Sequence, residues 1–233
     1  MNTPVALHAP LLRRYTAWSL DAAAIGVLVV AVLHRHLCEA WRACDRAVEA
    51  LTQAMAASMQ QMVDQAAPPL VALQASIHDP ALQVAVTALA MAVSGLVLPA
   101  MAVFGLLALL WFGIFEGSRW QATPGKRVLD LQVVDDDGAR PGFVRAILRN
   151  AAGLLSWLSL NLGHLLAARA PRHQALHDRI AGTRVVHTGT APMPLAARLW
   201  LWLQPAACFG LLALLMRYLD QRVASALAQT LGV

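Results

Sequence analysis

The chain is poor in charge: Asp, Glu, Lys and Arg make up 13% of its 233 residues, against 58% hydrophobic ones, with a mean hydropathy of +0.56. Soluble domains carry about 25% charged residues, so this balance points to an integral membrane protein. Cysteine is scarce as well, at three residues. Cys38 and Cys44 fall on nearly opposite faces of a helix and Cys208 lies in a late apolar run, which leaves no disulfide framework. No serine or cysteine stands in a nucleophile motif, and the expectation is a protein that is not an enzyme. Gly125-Lys126 is not a phosphate-binding loop, because Trp120 stands in place of the first glycine and Arg127 in place of the hydroxyl that holds Mg²⁺. The acids Asp135, Asp136 and Asp137 lack the bidentate glutamate of a calcium loop, and His173 and His177 lack the glutamate of a zinc-protease motif. Neither a metal nor a cofactor is therefore expected. The net charge of +5 comes from basic residues that flank apolar runs without interleaved aromatics, which argues against nucleic acid as a partner.

Long apolar runs are plentiful. Four stand out, at 16–33, 81–115, 150–168 and 195–216, against the roughly 20 residues needed to cross a bilayer. The second is ample. The third is marginal and carries Asn150, Asn161 and His164, so it reads as a re-entrant or protein-buried segment. Arg13 and Arg14 precede the first run as in a signal peptide, but Asp21 inside it and the lack of a small-x-small cleavage site before His34 indicate a retained anchor. A carboxylate near hydrocarbon costs several kcal/mol unless it is paired or has a task. Helical spacing puts Arg14, Trp18, Asp21 and Ile25 on one stripe, which should face protein rather than lipid.

Residues 34–67 are helix-forming and end at Pro68-Pro69. Leu37, Trp41, Cys44, Val48, Leu51, Met55 and Met62 keep a heptad-like spacing, flanked by alanines. Two readings stand: an intramolecular helical hairpin, or an arm whose Leu37, Trp41, Val48, Leu51, Met55 and Met62 dock a membrane-protein partner or a second copy. Asp79-Pro80 reads as N-cap and first residue of the returning helix. Val128–Val134 and Thr183–His187 alternate like strands that would pair, with Asp135–Gly138 as turn chemistry. Arg13 and Arg14 place the N-terminus in the cytoplasm, the arm 34–80 outside and the loop 116–149 inside. A bend near Ser159 to Gly163 would return the basic segment 169–194 to the cytoplasm before a last span at 195–219; the alternative is that 150–168 crosses fully as a third span, which Arg217 and Arg222 at the far end of the last span support. The expected fold is an all-α transmembrane helical bundle in the lipid bilayer. To it are added a long extracytoplasmic helical hairpin, one re-entrant hairpin and a small cytoplasmic two-stranded β element.

These pieces resemble the RDD family of small membrane proteins, named for one arginine and two aspartates, from about residue 11 to 187. Arg14 and Asp21 match the first helix, and Thr123-Pro-Gly-Lys126 through Asp135-Asp-Asp-Gly138 looks like the family's T-P-G-K-x-x-x-G-L-x-V-V-D-x-D-G segment. Gln174-Ala-Leu-His177-Asp178 through Val186 is similar to its closing segment, with Asp178 as the second aspartate. Asp130 stands where the family usually has glycine, the arm is longer than in simple members, and the span at 195–216 is an addition. The resemblance implies a bacterial inner-membrane protein with a suggested role in transport of an unidentified cation or small solute; the alternative is a non-catalytic accessory subunit that docks through the 37–62 seam. Arg14, Asp21 and Asp178, with Lys126 and His177, would form either a buried charge network that fixes helix docking or a proton or Na⁺ site at Asp21. Asn161 and His164 are the candidate path-lining residues, and Lys126 is expected at the lipid-headgroup level.

Overall fold

The computed structural model describes residues 7–66, 68–158, 162–168 and 173–231. Helices dominate, and among the described residues three of them are long and apolar enough to cross a membrane: α1 (Leu11–Asp64), α3 (Pro80–Gly117) and α8 (Leu195–Leu231). At about 1.5 Å per residue α1 is about 80 Å long, more than twice the thickness of a hydrocarbon core. It runs unbroken from Leu11 to Asp64, and its 54 residues contain no proline. Pro68 then caps the short α2 (Pro69–His78), which Pro69 opens, and the Asp79 carboxylate accepts the Ala81 N–H at 2.9 Å, capping α3 as its sequence predicts. α3 and α8 each hold an internal proline, Pro99 and Pro205, a feature that membrane helices tolerate.

Short elements fill the remainder: β1 (Leu7–His8), α4 (Pro124–Val128), β2 (Leu131–Asp135), α5 (Gly142–Leu158), α6 (Leu162–Leu165), a 3₁₀ turn (Leu166–Ala168), α7 (Leu176–Ile180) and β3 (Thr183–His187). β2 and β3 are the expected antiparallel pair, from Leu131 opposite His187 to Asp135 opposite Thr183, and the two-residue β1 adds a third, outer strand beside β3. Residues Val128 to Asp130 do not join β2 as the alternation suggested: Val128 ends α4, and Asp130 turns the chain with φ +54°. α5 begins eight residues before the apolar run at 150, because Phe143, Ala146, Arg149 and Asn150 extend its helical pattern into the basic loop. The re-entrant bend expected at Ser159 to Gly163 lies mostly outside the described residues.

The chain divides into two units. Met1–Val29 with Val103–Gln204 holds the sheet, whose Leu131, Val133 and Val185 are buried together with Ala9, Ala17, Leu129 and Ala197. The other is Val30–Ala102 with Pro205–Val233. Within it, the buried residues of α1 are Ala40, Cys44, Ala47, Thr52, Ala56 and Ser58, small residues that let helices approach closely. Of the anticipated seam, Trp41 and Met55 are exposed while Leu37, Val48, Leu51 and Met62 are half-buried. Tyr218 donates its hydroxyl to Asp45 at 2.6 Å, and Arg222 pairs with the same carboxylate, tying α8 to this part of α1.

Candidate functional site

The stripe on the first turns of α1 faces protein. Ile25 and Ala17 are fully buried, Asp21 is 1% exposed, and Val27 and Val30 on the opposite side are open, as a lipid-facing surface requires. Asp21 receives three neutral donors: the Thr123 hydroxyl, the Gly125 N–H at 2.9 Å and the Trp111 indole N–H at 3.2 Å. The Thr-Pro-Gly-Lys run makes this possible. Thr123 N-caps α4 and also donates to Asp21; Pro124 opens the helix; and Gly125 lies so close that an added Cβ would stand 2.9 Å from the Asp21 Cγ and collide with the Ala17 carbonyl. The expected tight turn is thus a one-turn helix aimed at a carboxylate.

Lys126 is the next residue, and it is buried rather than at headgroup level, since its ammonium pairs with Glu116 at the end of α3. From there the charges alternate. Glu116 also accepts from Arg149 of α5 at 2.6 Å; Arg149 reaches Asp178 of α7 at 2.8 Å through Nε; and Asp178 pairs with Arg14 of α1. The ladder Lys126–Glu116–Arg149–Asp178–Arg14 joins α4, α3, α5, α7 and α1, and each acid lies between two cations. Asn150 donates to Glu116 at 3.2 Å, and Asp178 accepts the Ala175 N–H at 3.1 Å at the start of α7.

Electrostatics follow from this order. Burial alone would raise the Asp178 carboxyl, but the Arg149 and Arg14 guanidiniums outweigh it and hold the group well below the usual carboxylate range. Burial works against the Arg149 cation, and Glu116 and Asp178 overcome it, raising its proton affinity further. Burial pulls Lys126 below its ordinary value, with Glu116 acting in the opposite direction. His177 is pushed down to about 3 by burial and then by the positive charge of Arg149, so it is neutral.

Of the residues singled out in the sequence, Arg14 and Asp178 are ion-paired, His177 lies against Asp178 at 3.3 Å, and Lys126 reaches the network through Glu116. Asp21 touches neither Arg14 nor Asp178; Thr123, Gly125 and Trp111 satisfy it instead. His164 packs on His177 with ring centroids 5.0 Å apart, and Asn161 lies outside the described residues. His173 precedes α7 and shares no helix face with His177. Glu116, Arg149 and Trp111 carry no site role in the sequence pattern, and Thr123 enters it only as the first residue of the Thr-Pro-Gly-Lys segment. Glu116 carried a signal, as the one acid that ends a 35-residue apolar run at 81–115, and Arg149 stands one helical turn after Arg145. Arg13 was read only as a topology signal, yet it is buried and donates to the carbonyls of Leu129 and Ala191 and to His187 Nε2 at 2.8 Å, clamping α1 to the strand region.

The sequence pattern that defines the RDD family matches residues 8–182, three quarters of the chain and every member of the ladder. The chain belongs to the RDD family. A relative within reach is "Uncharacterized protein YxaI" of Bacillus subtilis (strain 168), 34% identical over 90 residues, which are 39% of this chain and 59% of that protein. The match thus spans little more than half the relative's length, and the relative's printed name assigns no activity. No solved structure matches the RDD chain. The family's glycine before the strand has a physical reason here: Asp130, which replaces it, has φ +54°, a left-handed conformation that glycine adopts without penalty and that aspartate tolerates better than most residues.

Proposed function

We propose that this RDD protein moves a proton or small monovalent cation across a bacterial inner membrane, with its N-terminus in the cytoplasm, and that Asp21 is the group that exchanges the ion. One observation carries this reading. Among the described residues three acids are fully buried, and of these Glu116 and Asp178 are each clamped by two cations, whereas Asp21 is held by neutral donors alone. A clamped carboxylate cannot take up a proton without leaving buried cations unpaired. Asp21 can change charge while the ladder stays whole, and an intramembrane carboxylate is the usual carrier for such exchange. The ladder then serves as the rigid frame that holds α4 against Asp21. The test is cation-driven pH change in liposomes containing the purified protein: flux is expected from the unmutated protein, and its absence removes the transport reading.

An accessory role is the second reading, and the open Trp41, Met55, Met59 and Val63 on the arm of α1 favour it. Crosslinks from Trp41 or Met55 to another polypeptide would support it, and crosslinks only within one chain would count against it.

A further inference from the structure

Beyond the end of α3, one arginine is held by aromatic rings and not by an acid. The Trp120 ring stacks on Phe115, with centroids 5.6 Å apart and planes at 22°, and the Arg127 guanidinium lies over the Trp120 ring, 4.4 Å from its centroid. Trp120 and Arg127 are exposed, and so is Arg119, the residue before Trp120. Among the described residues neither Arg119 nor Arg127 has a carboxylate partner, whereas Arg14, Arg145, Arg149 and Arg222 all do.

The backbone under this stack is fixed on both sides. Lys126, the neighbour of Arg127 on α4, is anchored by Glu116. Gln121, the neighbour of Trp120, keeps a left-handed φ of +52°, its carbonyl accepting the Val133 N–H at 2.7 Å and its side chain donating to the Val133 carbonyl at 3.3 Å. Strain of this kind persists where the surroundings over-determine it, and it gathers at ligand sites. A guanidinium lying on a ring keeps its N–H edge free, and that fork fits the oxygens of a phosphate.

The place in the fold selects the phosphate. The stack stands where the apolar run 81–115 of the membrane-length helix α3 ends, and Trp111, Phe115 and Trp120 follow one another there as aromatic residues do at a membrane–water boundary. Leu110 and Ile114, one turn apart on α3, and Val128, next to Arg127 on α4, are open apolar surface on which an acyl chain can lie. Choline and ethanolamine headgroups carry an ammonium that two unpaired arginines repel. A headgroup of net negative charge is the complement of the pair.

We propose that Arg127, stacked on Trp120, and Arg119 bind the headgroup phosphate of one anionic phospholipid in the leaflet where α3 ends. The site makes no use of the Asp21 carboxylate and does not depend on ion exchange there.

Dioleoylphosphatidylglycerol is the probe, with dioleoylphosphatidylcholine as the neutral comparison. Delipidated full-length protein in a non-ionic detergent is titrated with each, and retained lipid is counted by native mass spectrometry beside the melting temperature. One phosphatidylglycerol per chain should be retained saturably with a raised melting temperature, and phosphatidylcholine should do neither. Arg127→Gln should weaken retention about fivefold, the share of one arginine at a charged membrane surface. Trp120→Ala should weaken it similarly, and Trp120→Phe, which keeps a ring beneath the guanidinium, should restore most of the loss. Arg140→Gln removes the same charge from an exposed residue between β2 and α5 and should change nothing. Equal or non-saturable retention of the two lipids overturns the proposal, as does unaltered retention in Arg127→Gln or an equal loss in Arg140→Gln. Glycerol 1-phosphate tests a soluble source: if it displaces the lipid at a like concentration and itself raises the melting temperature, the site takes a water-soluble phosphate ester and the lipid assignment fails. If Trp120→Ala does not fold, Arg127→Gln decides the matter alone, because Arg127 is exposed and outside the ion-paired ladder.

Discussion

Gly125 presses its backbone against Asp21, with its N–H donated to the carboxylate at 2.9 Å and no room for a side chain between them. The contact joins the family's first aspartate to its Thr-Pro-Gly-Lys segment. Gly125→Ala should therefore push α4 off α1 and destabilise the protein by about 1–3 kcal/mol, the usual cost of overpacking. Thermal unfolding in detergent measures this; a melting temperature equal to that of the unmutated protein would mean that the close approach is dispensable.

Arg149 bridges Glu116 and Asp178 while only 4% exposed. Arg149→Met leaves both acids short of a cation in a buried site, and about 3–5 kcal/mol of stability should be lost. Adding Glu116→Gln should restore part of that loss, since one of the stranded charges is then gone. A double-mutant cycle gives the coupling; strictly additive effects would contradict the ladder.

How much of this was legible in the sequence differs from residue to residue. Arg14, Asp21 and Asp178 stood out because a charge in an apolar helix or a motif is conspicuous, and the pairing of Arg14 with Asp178 joins residues 164 apart that only tertiary structure brings together. Glu116 and Arg149 sit at the borders of apolar runs, where a charge looks like an ordinary flank. Lys126 looked like a headgroup contact for the same reason; its burial follows from the Glu116 that was passed over. The alternation through Val128 was genuine but subordinate to the helix that Thr123 caps, so β2 starts three residues later. On the arm, large residues draw attention by their hydrophobicity, whereas helices pack closely through the small ones.

His177 gives a pH dependence with a definite sign. Its folded-state value, about 3, lies below the 6.5 of a free imidazole, so between those values the unfolded chain binds a proton that the native chain refuses. The native state is consequently stabilised by rising pH across that window, and on acidification from 6.5 towards 3 stability should fall by about 4–5 kcal/mol at most. Melting curves across this pH range should show this acid loss in the unmutated protein and a flatter profile in His177→Asn. Parallel profiles would mean that the imidazole titrates normally.

Asp130 carries a left-handed backbone at a position where the family has glycine. Asp130→Gly should be tolerated and should stabilise by up to about 1 kcal/mol, because the strain of a Cβ at positive φ is removed. A loss greater than 1 kcal/mol would instead assign the carboxylate a packing role against Gly189, its close neighbour.

Asp21→Asn is the most direct measurement. Asparagine keeps the acceptor for the Gly125 N–H and the shape of the site but cannot gain or lose a proton near neutral pH. In liposomes, cation-driven pH change should vanish in Asp21→Asn while its melting temperature stays close to that of the unmutated protein. Undiminished flux through a folded Asp21→Asn protein would contradict the assignment of ion exchange to Asp21 and leave that residue with the docking of α4 alone.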